Sequence, residues 1–375
     1  MNRIITFCTT VLVLSIFMMS CSSEQDGYHD IPGYNGRIKQ ITTYSYLSDV
    51  EKTRVEAQVG SLIPTDIRQY NERGLLSGDL DVFCDYEDDE AGISIRRFDY
   101  DSHDNVTMRV SQRLTCSILQ ALELVSPFIE GGDIVFVENA STDTVLTHNT
   151  YEGNLLIEAD GGNHIERFSY DGTKKTSYTR IWDGDTTFIE YKYIDGVLRE
   201  ESSLNDMVIK YDELGREIYW HSPHRETVKT YKDSLVVSST VFKGSYSASL
   251  TRNASLLRDI EVIVVSCGDS ERNHRSALGM LERYRDGKIT LDELDQLLKS
   301  LVLEDDRVTY STDKTEILSV DDKQNPTLLH NSVIDVKNRR DGIPIPYKYY
   351  LDPEIRSSYY ENTKAVDYLY YPSRP

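Results

Sequence analysis

The chain has 375 residues, a formal net charge of −21 and 26 tyrosines against 9 phenylalanines and 2 tryptophans. Such acidity excludes a nucleic-acid partner, because binding there rests on neutralising phosphates with Lys and Arg. It also excludes a body lying flat on an anionic lipid surface. Tyrosine favours strands and half-exposed positions, with the ring covered and the hydroxyl wet. The composition therefore points to a sheet-rich protein with much two-sided surface.

The first element in chain order is a leader. Arg3 is followed by a mostly apolar run from Ile4 to Met19, ending in Met18-Met19-Ser20-Cys21. A basic start, an apolar stretch and a small residue describe a secretory signal. The ending resembles the lipobox of bacterial lipoproteins, with Met18 where the commonest form has leucine. The resemblance implies signal peptidase II cleavage between Ser20 and Cys21, removal of residues 1–20, and lipidation of Cys21. Two or more acyl chains anchor stably, at roughly 0.8 kcal/mol per buried methylene. Residues 21–35 begin small and polar and are expected to form a flexible tether. Glu24 and Asp26 resemble the acidic export signals of some Bacteroidetes lipoproteins. The resemblance implies an outer-membrane lipoprotein, and whether it faces the periplasm or the cell surface stays open.

Residues 36–266 carry a rhythm. The pieces "QYNERGLL", "FDYDSHDNVT", "TYEGNLLIEA", "FSYDGTKKTSY", "YKYIDGVLRE", "KYDELGREIYW" and "TYKDSLVVSS" each place Tyr before a turn-forming cluster and apolar residues. The anchoring residues are Tyr70, Tyr100, Tyr151, Tyr170, Tyr193, Tyr211 and Tyr231, the last four spaced by 23, 18 and 20 residues. Asp-Gly-type pairs populate the positive φ of tight hairpin turns, and "TTFIEYKYI" alternates with the period of a strand. The expected fold is mainly β: an antiparallel meander or open barrel of hairpins. Tyr211, Asp212, Gly215 and Arg216 match the Tyr-Asp-x-x-Gly-Arg core of the YD repeat. That resemblance implies an antiparallel β-ribbon architecture, and the chain also looks like the Tyr-rich, YD-like lipoproteins of Bacteroidetes. The tyrosines read either as cross-strand pairs, at about 0.2–1 kcal/mol each, or as a row of aromatic platforms for a sugar or peptide.

Two helical stretches break the rhythm. Residues 115–130 carry Ile118, Leu119, Leu122 and Val125, then Pro127, and predict a short helix covering the sheet. Residues 267–302 predict a helical hairpin, with Asp286-Gly287 at the turn and a capping box at Thr290 and Glu293. From Asp305 the chain returns to short β-like pieces, "RVTYSTD" and "TEILSV", and residues 303–375 are expected as an extended Tyr-rich segment packed on the body, with Gly342, Pro344 and Pro346 opposing a central strand.

Candidate chemistry is sparse. His221 and His224 in "WHSPH" lack a third ligand, and "DYEDDE" (85–90) reads as a solvated acidic loop. Of five cysteines, Cys84, Cys116 and Cys267 remain after Cys8 and Cys21, with no CxxC spacing, and their pairing stays open. No catalytic motif, metal site or cofactor is expected. The expectation is a lipid-anchored cell-envelope protein that binds a glycan or an envelope protein, or serves a structural role. It touches the membrane through the lipid alone. The alternative is an enzyme processing envelope polysaccharide with a carboxylate pair that no motif reveals. Replacing Cys21 by serine is expected to abolish palmitate labelling and detergent-phase partitioning of the full chain, which metabolic labelling and phase separation check.

Overall fold

The computed structural model describes residues 31, 34–46, 62–85, 88–138, 140–252, 260–338, 349–351 and 355–371. The leader, with Ser20 and Cys21, most of the tether, and Gly342, Pro344 and Pro346 lie outside the described residues.

Strands β1 (Ile38–Tyr46), β2 (Leu62–Tyr70), β3 (Leu76–Asp85), β4 (Glu90–Tyr100) and β5 (Val106–Cys116) run up and down to helix α1 (Ile118–Ile129). The meander resumes with β6 (Thr142–Leu146), β7 (His148–Glu152), β8 (Leu155–Asp160), β9 (His164–Asp171), β10 (Lys174–Trp182), β11 (Asp185–Ile194) and β12 (Val197–Ser203). It continues through β13 (Val208–Tyr211), β14 (Glu217–Ser222), β15 (Arg225–Lys232), β16 (Leu235–Phe242), β17 (Ser245–Arg252) and β18 (Ile260–Ser266). Helices α2 (Glu271–Arg285) and α3 (Leu291–Glu304) follow, then β19 (Thr309–Val320), β20 (Pro326–Asn338), β21 (Tyr349–Leu351) and β22 (Ile355–Tyr370).

All of these strands belong to one antiparallel, 22-stranded sheet. It closes nearly into a barrel, and two contacts account for that. β22 pairs with β20 on one side and with β1 on the other, Thr43 facing Val366 and Ile41 facing Tyr368. At the far side, β6 pairs with β5 and β7 with β8, and only Thr147 separates β6 from β7. The Thr147 N–H donates to the Thr107 carbonyl at 2.8 Å, which keeps the chain in step beside β5. The chain after residue 303 thus differs from its expectation. β19, β20 and β22 are members of the sheet rather than a segment laid over it, because each alternates and finds a ladder partner. Among the described residues, β20 carries its one proline at its first position, where a strand tolerates it.

Both helical elements cover the same face. Ile67, under α1, faces Thr42, and Thr42 faces Asp367. Two residues along β22, Ala365 faces Leu328, and the even step to Val336 reaches the strand under α2 and α3. Ser117 and Gln120 form a capping box that starts α1, and the helix runs two residues past Pro127. Its Ile118, Ala121, Val125 and Phe128 pack on Leu80, Ile93 and Ile95. Helix α3 starts at a Thr290–Glu293 capping box. Its Leu294, Leu298 and Leu301, with Leu281 of α2, pack on Leu250, Ile263 and Val265. Each such leucine contributes about 2 kcal/mol by leaving water.

Two kinds of turn make the hairpins. Asp183-Gly184, Asp195-Gly196 and Lys243-Gly244 have positive φ at both central residues, the geometry that matches strand twist in two-residue loops. The second kind spans five residues and recurs from Asn71, Asp101, Ser203, Asp212 and Asp321. In each, the first side chain accepts two backbone N–H groups, as Asp212 Oδ1 does from Leu214 and Arg216, both at 2.9 Å. The fourth residue is left-handed: Gly215 has φ 74°, where a glycine carries no steric cost. Arg216 then binds Asp212 Oδ2 at 2.7 Å and covers the Tyr231 ring at 4.4 Å. The four matched residues therefore specify one turn and clamp it to the next hairpin.

Tyrosines near strand ends finish the ladders. The Tyr100 hydroxyl donates to the Leu76 carbonyl at 2.7 Å, Tyr170 to Leu156 at 2.9 Å, Tyr231 to Glu217 at 2.6 Å, and Tyr368 to Pro326 at 2.7 Å. In each case the strand pairing has stopped two residues earlier, at Gly78, Glu158, Tyr219 and Leu328. The hydroxyl takes a carbonyl that the ladder leaves without its neighbour, a bond worth about 1 kcal/mol net. Asp212→Ala is expected to lower stability by about 1–2 kcal/mol, while Glu213→Ala at the same turn stays within about 0.5 kcal/mol; urea midpoints of the two variants check this.

Candidate functional site

Strands β9, β10 and β11 place a small set of polar and aromatic side chains on the face opposite the helices. Register determines the set. Trp182 faces Asp185 across the Asp183-Gly184 turn, and Arg180 faces Thr187. On the other side of β10, Trp182 faces His164 and Arg180 faces Glu166. Two rows result, His164–Trp182–Asp185 and Glu166–Arg180–Thr187, about 10 Å across from first strand to third. Arg180, Trp182, Asp183, Asp185 and Thr187 line an open hollow of about 470 Å³.

The electrostatics of this patch are unbalanced. Trp182 is 52% exposed although it is the bulkiest side chain in the hollow. The Arg180 guanidinium lies 4.9 Å from its ring centroid. Arg180 Nε sits 3.7 Å from Glu166 Oε1, which already accepts the Tyr178 hydroxyl at 2.7 Å. That Nε is shielded from solvent, and its pairing with Glu166 is an ion pair rather than a hydrogen bond. An open aromatic ring and two exposed carboxylates at a hairpin tip can hold a ring-shaped molecule bearing hydroxyls.

A second cluster lies on the same sheet face at β2, β3 and β4. Asp66 faces Asp81 directly across the β2–β3 pair. Arg68 binds Asp66 at 3.2 Å, and Arg96 binds Asp79 at 2.7 Å and Asp81 at 3.0 Å. Burial, opposed by Arg68 and reinforced by a hydrogen bond to Asp81, pushes the Asp66 carboxyl up to about 6. Burial also raises Asp79 against the pull of Arg96. The Asp66 and Asp81 carboxyls are in hydrogen-bond contact, closer than the roughly 5 Å or more that glycoside hydrolysis requires between its two carboxyls.

A third set stitches the β5–β7 step. Asp101 accepts from the Tyr151 hydroxyl, from Asn149 Nδ2 at 2.9 Å and from the backbone N–H groups of His103 and Asn105. His103 stacks on the Tyr151 ring at 4.2 Å. Burial pushes the Asp101 carboxyl up, but these bonds outweigh it and hold the group below its usual range, while Tyr151 is pushed up to about 12. The hollow beside them, about 500 Å³, is lined by residues already committed to one another.

The residues singled out from sequence fall elsewhere. Ser20 and Cys21 lie outside the described residues. Tyr211, Asp212, Gly215 and Arg216 come together in a turn, with the Tyr211 hydroxyl on Glu201 at 2.6 Å. The tyrosine row accordingly spends many of its hydroxyls within the sheet. His221 lies in β14, stacked on Tyr219, while His224 lies in the following turn, and no group of three His, Cys, Asp or Glu among the described residues is arranged to hold a metal. Cys116 and Cys267 are free thiols. Cys84 and Cys116 both face Ala91, one from each side of β4, about 10 Å apart and beyond disulfide reach. The Trp182 hollow was not singled out, though "RIWDGD" offered the signal of a tryptophan beside an Asp-Gly turn.

No protein-family model matches the chain, and no curated protein matches it. Among solved structures the chain is similar to a porin-like protein from Bacteroides uniformis, at 10% identity and a TM-score of 0.32, over 91% of this chain and 100% of that one. It is similar also to a chain of the TcdB2-TccC3-Cdc42 crystal structure, at 11% identity and a TM-score of 0.29, over 76% of this chain and 14% of that one.

The raised Asp66 carboxyl has a measurable consequence. Its folded value, about 6, lies above the ordinary 3.8, so the folded state holds the proton more tightly than the unfolded chain. Stability from this group is present at low pH and falls as pH rises from about 4 to about 6. Asp66→Asn is expected to remove that part of the fall, on the order of 2–3 kcal/mol, read as the difference between variant and parent in urea midpoints across pH 4 to 7.

Proposed function

We propose that the chain is a lipid-anchored protein of the bacterial cell envelope, in the outer membrane, whose β-body binds a glycan. Lipidation at Cys21 rests on the Met18-Met19-Ser20-Cys21 ending. It would hold the body beside a bilayer through the tether, as the acidic composition requires. The binding role rests on one observation: the open Trp182 ring beside the exposed Asp183 and Asp185. A pyranose offers C–H groups to the aromatic face and hydroxyls to Arg180, Asp183, Asp185 and Thr187. The hairpin that carries these groups is held on both sides by strand pairs, so the site is formed before the ligand arrives.

The described body begins at residue 31, so a soluble form lacking residues 1–21 keeps all of it. That form is expected to bind a subset of an envelope-glycan array without turnover. Trp182→Ala is expected to weaken that binding at least tenfold with the thermal midpoint unchanged, while Trp220→Ala leaves it intact. Binding indifferent to Trp182, or release of shortened glycans, contradicts the reading.

A further inference from the structure

We infer that the Trp182 hollow selects sugars without anionic groups and favours those carrying a free amine. The inference rests on the glycan-binding reading and deepens it. Within the two rows, the charged groups are Glu166 on β9, Arg180 on β10, and Asp183 and Asp185 at the β10–β11 tip. The single guanidinium stands against Glu166 at 3.7 Å. The carboxylates of Asp183 and Asp185 are exposed and line the hollow directly. The nearest lysine along β10 on this face is Lys175, set against the Phe168 ring at 4.6 Å. Its ammonium acts on Glu166, and five residues, roughly 16 Å along the strand, separate it from Arg180, with Asp183 and Asp185 further still. Arg167 is a neighbour in sequence but projects to the other face and binds Glu158 at 2.8 Å.

The hollow therefore meets its ligand with uncompensated negative charge beside the stacking ring. A uronate or sulfated sugar would bring a like charge to Asp183 and Asp185. A neutral pyranose can donate hydroxyl protons to both carboxylates. A sugar with a protonated amine adds charge-assisted bonds to the same carboxylates. The distance across the two rows, about 10 Å, fits one or two rings and not a long chain.

The test uses the full chain in detergent and three tetrasaccharide probes: N-acetylglucosamine, free glucosamine and galacturonate. Affinities are measured at low and at 0.5 M salt. Glucosamine is expected to bind at least tenfold more tightly than galacturonate, with the acetylated probe between them and the gap closing in high salt. Asp183→Asn with Asp185→Asn is expected to shrink the gap to threefold or less while the acetylated probe still binds; asparagine tolerates the left-handed φ of 49° at position 183. Equal or tighter binding of galacturonate overturns the inference and leaves the glycan reading standing. A gap that persists in the double variant also overturns it, by assigning the preference to the charge of the whole body. Absence of binding by all three probes, with the chain folded, overturns the glycan reading and the inference together.

Discussion

The pairing of β1 with β22 is the constraint on which the rest of the architecture depends. A long meander leaves two strand edges, each with a row of backbone groups that seek a partner. Here the first and last long strands of the described chain find each other, Ile41 against Tyr368 and Thr43 against Val366. The opposite gap, between β5 and β8, is bridged by the single strand line of β6 and β7. Its second half is held beside the β4–β5 turn by Asp101, Asn149 and Tyr151. Closure removes the edges and makes each hairpin's register conditional on its neighbours.

Between those two joints the sheet has little apolar core of its own. Two clusters lie under helices, around Leu80 and around Leu250, and a third gathers Ile38, Ile41 and Val366 on the other face. Strands β9 to β14 have almost no fully buried side chain. Their order comes from ladders, from turns that consume an Asp, Asn or Ser side chain, and from tyrosines that cap ladder ends. A surface built this way stays largely solvated while keeping its geometry, which is what a preformed binding face needs. The Trp182 patch sits where those conditions hold and where a large aromatic side chain is left open.

Much of the fold was legible because its determinants are local. Asp-Gly pairs and the Tyr-Asp-x-x-Gly-Arg unit dictate their own turns, and Ser117, Thr290 and Glu293 dictate helix starts within one turn of chain. The C-terminal segment was expected to lie over the body because Gly342, Pro344 and Pro346 weighed against a central strand, and the turn at Asp321 gave little counter-signal: Val320 stands where a tyrosine would, and Gln324 takes the left-handed position in place of glycine. The tyrosine that ties this turn, Tyr370, arrives from β22, far along the chain. The candidate site was illegible for the same reason. His164, Trp182 and Asp185 form a row only once the β9–β10 and β10–β11 registers are known, and a shift of one residue would send them to opposite faces. The Asp66–Asp81 contact likewise exists only through the β2–β3 register.

Closure can be read directly by a disulfide. With Cys84, Cys116 and Cys267 replaced by alanine, Thr43→Cys and Val366→Cys bring two thiols to directly opposed positions, within bonding reach. Closure predicts a rapid intramolecular cross-link in the dilute monomer, and a far slower one when Lys364→Cys replaces Val366→Cys. Failure of the opposed pair to cross-link, or equal yields from both pairs, would contradict a sheet joined through β1 and β22.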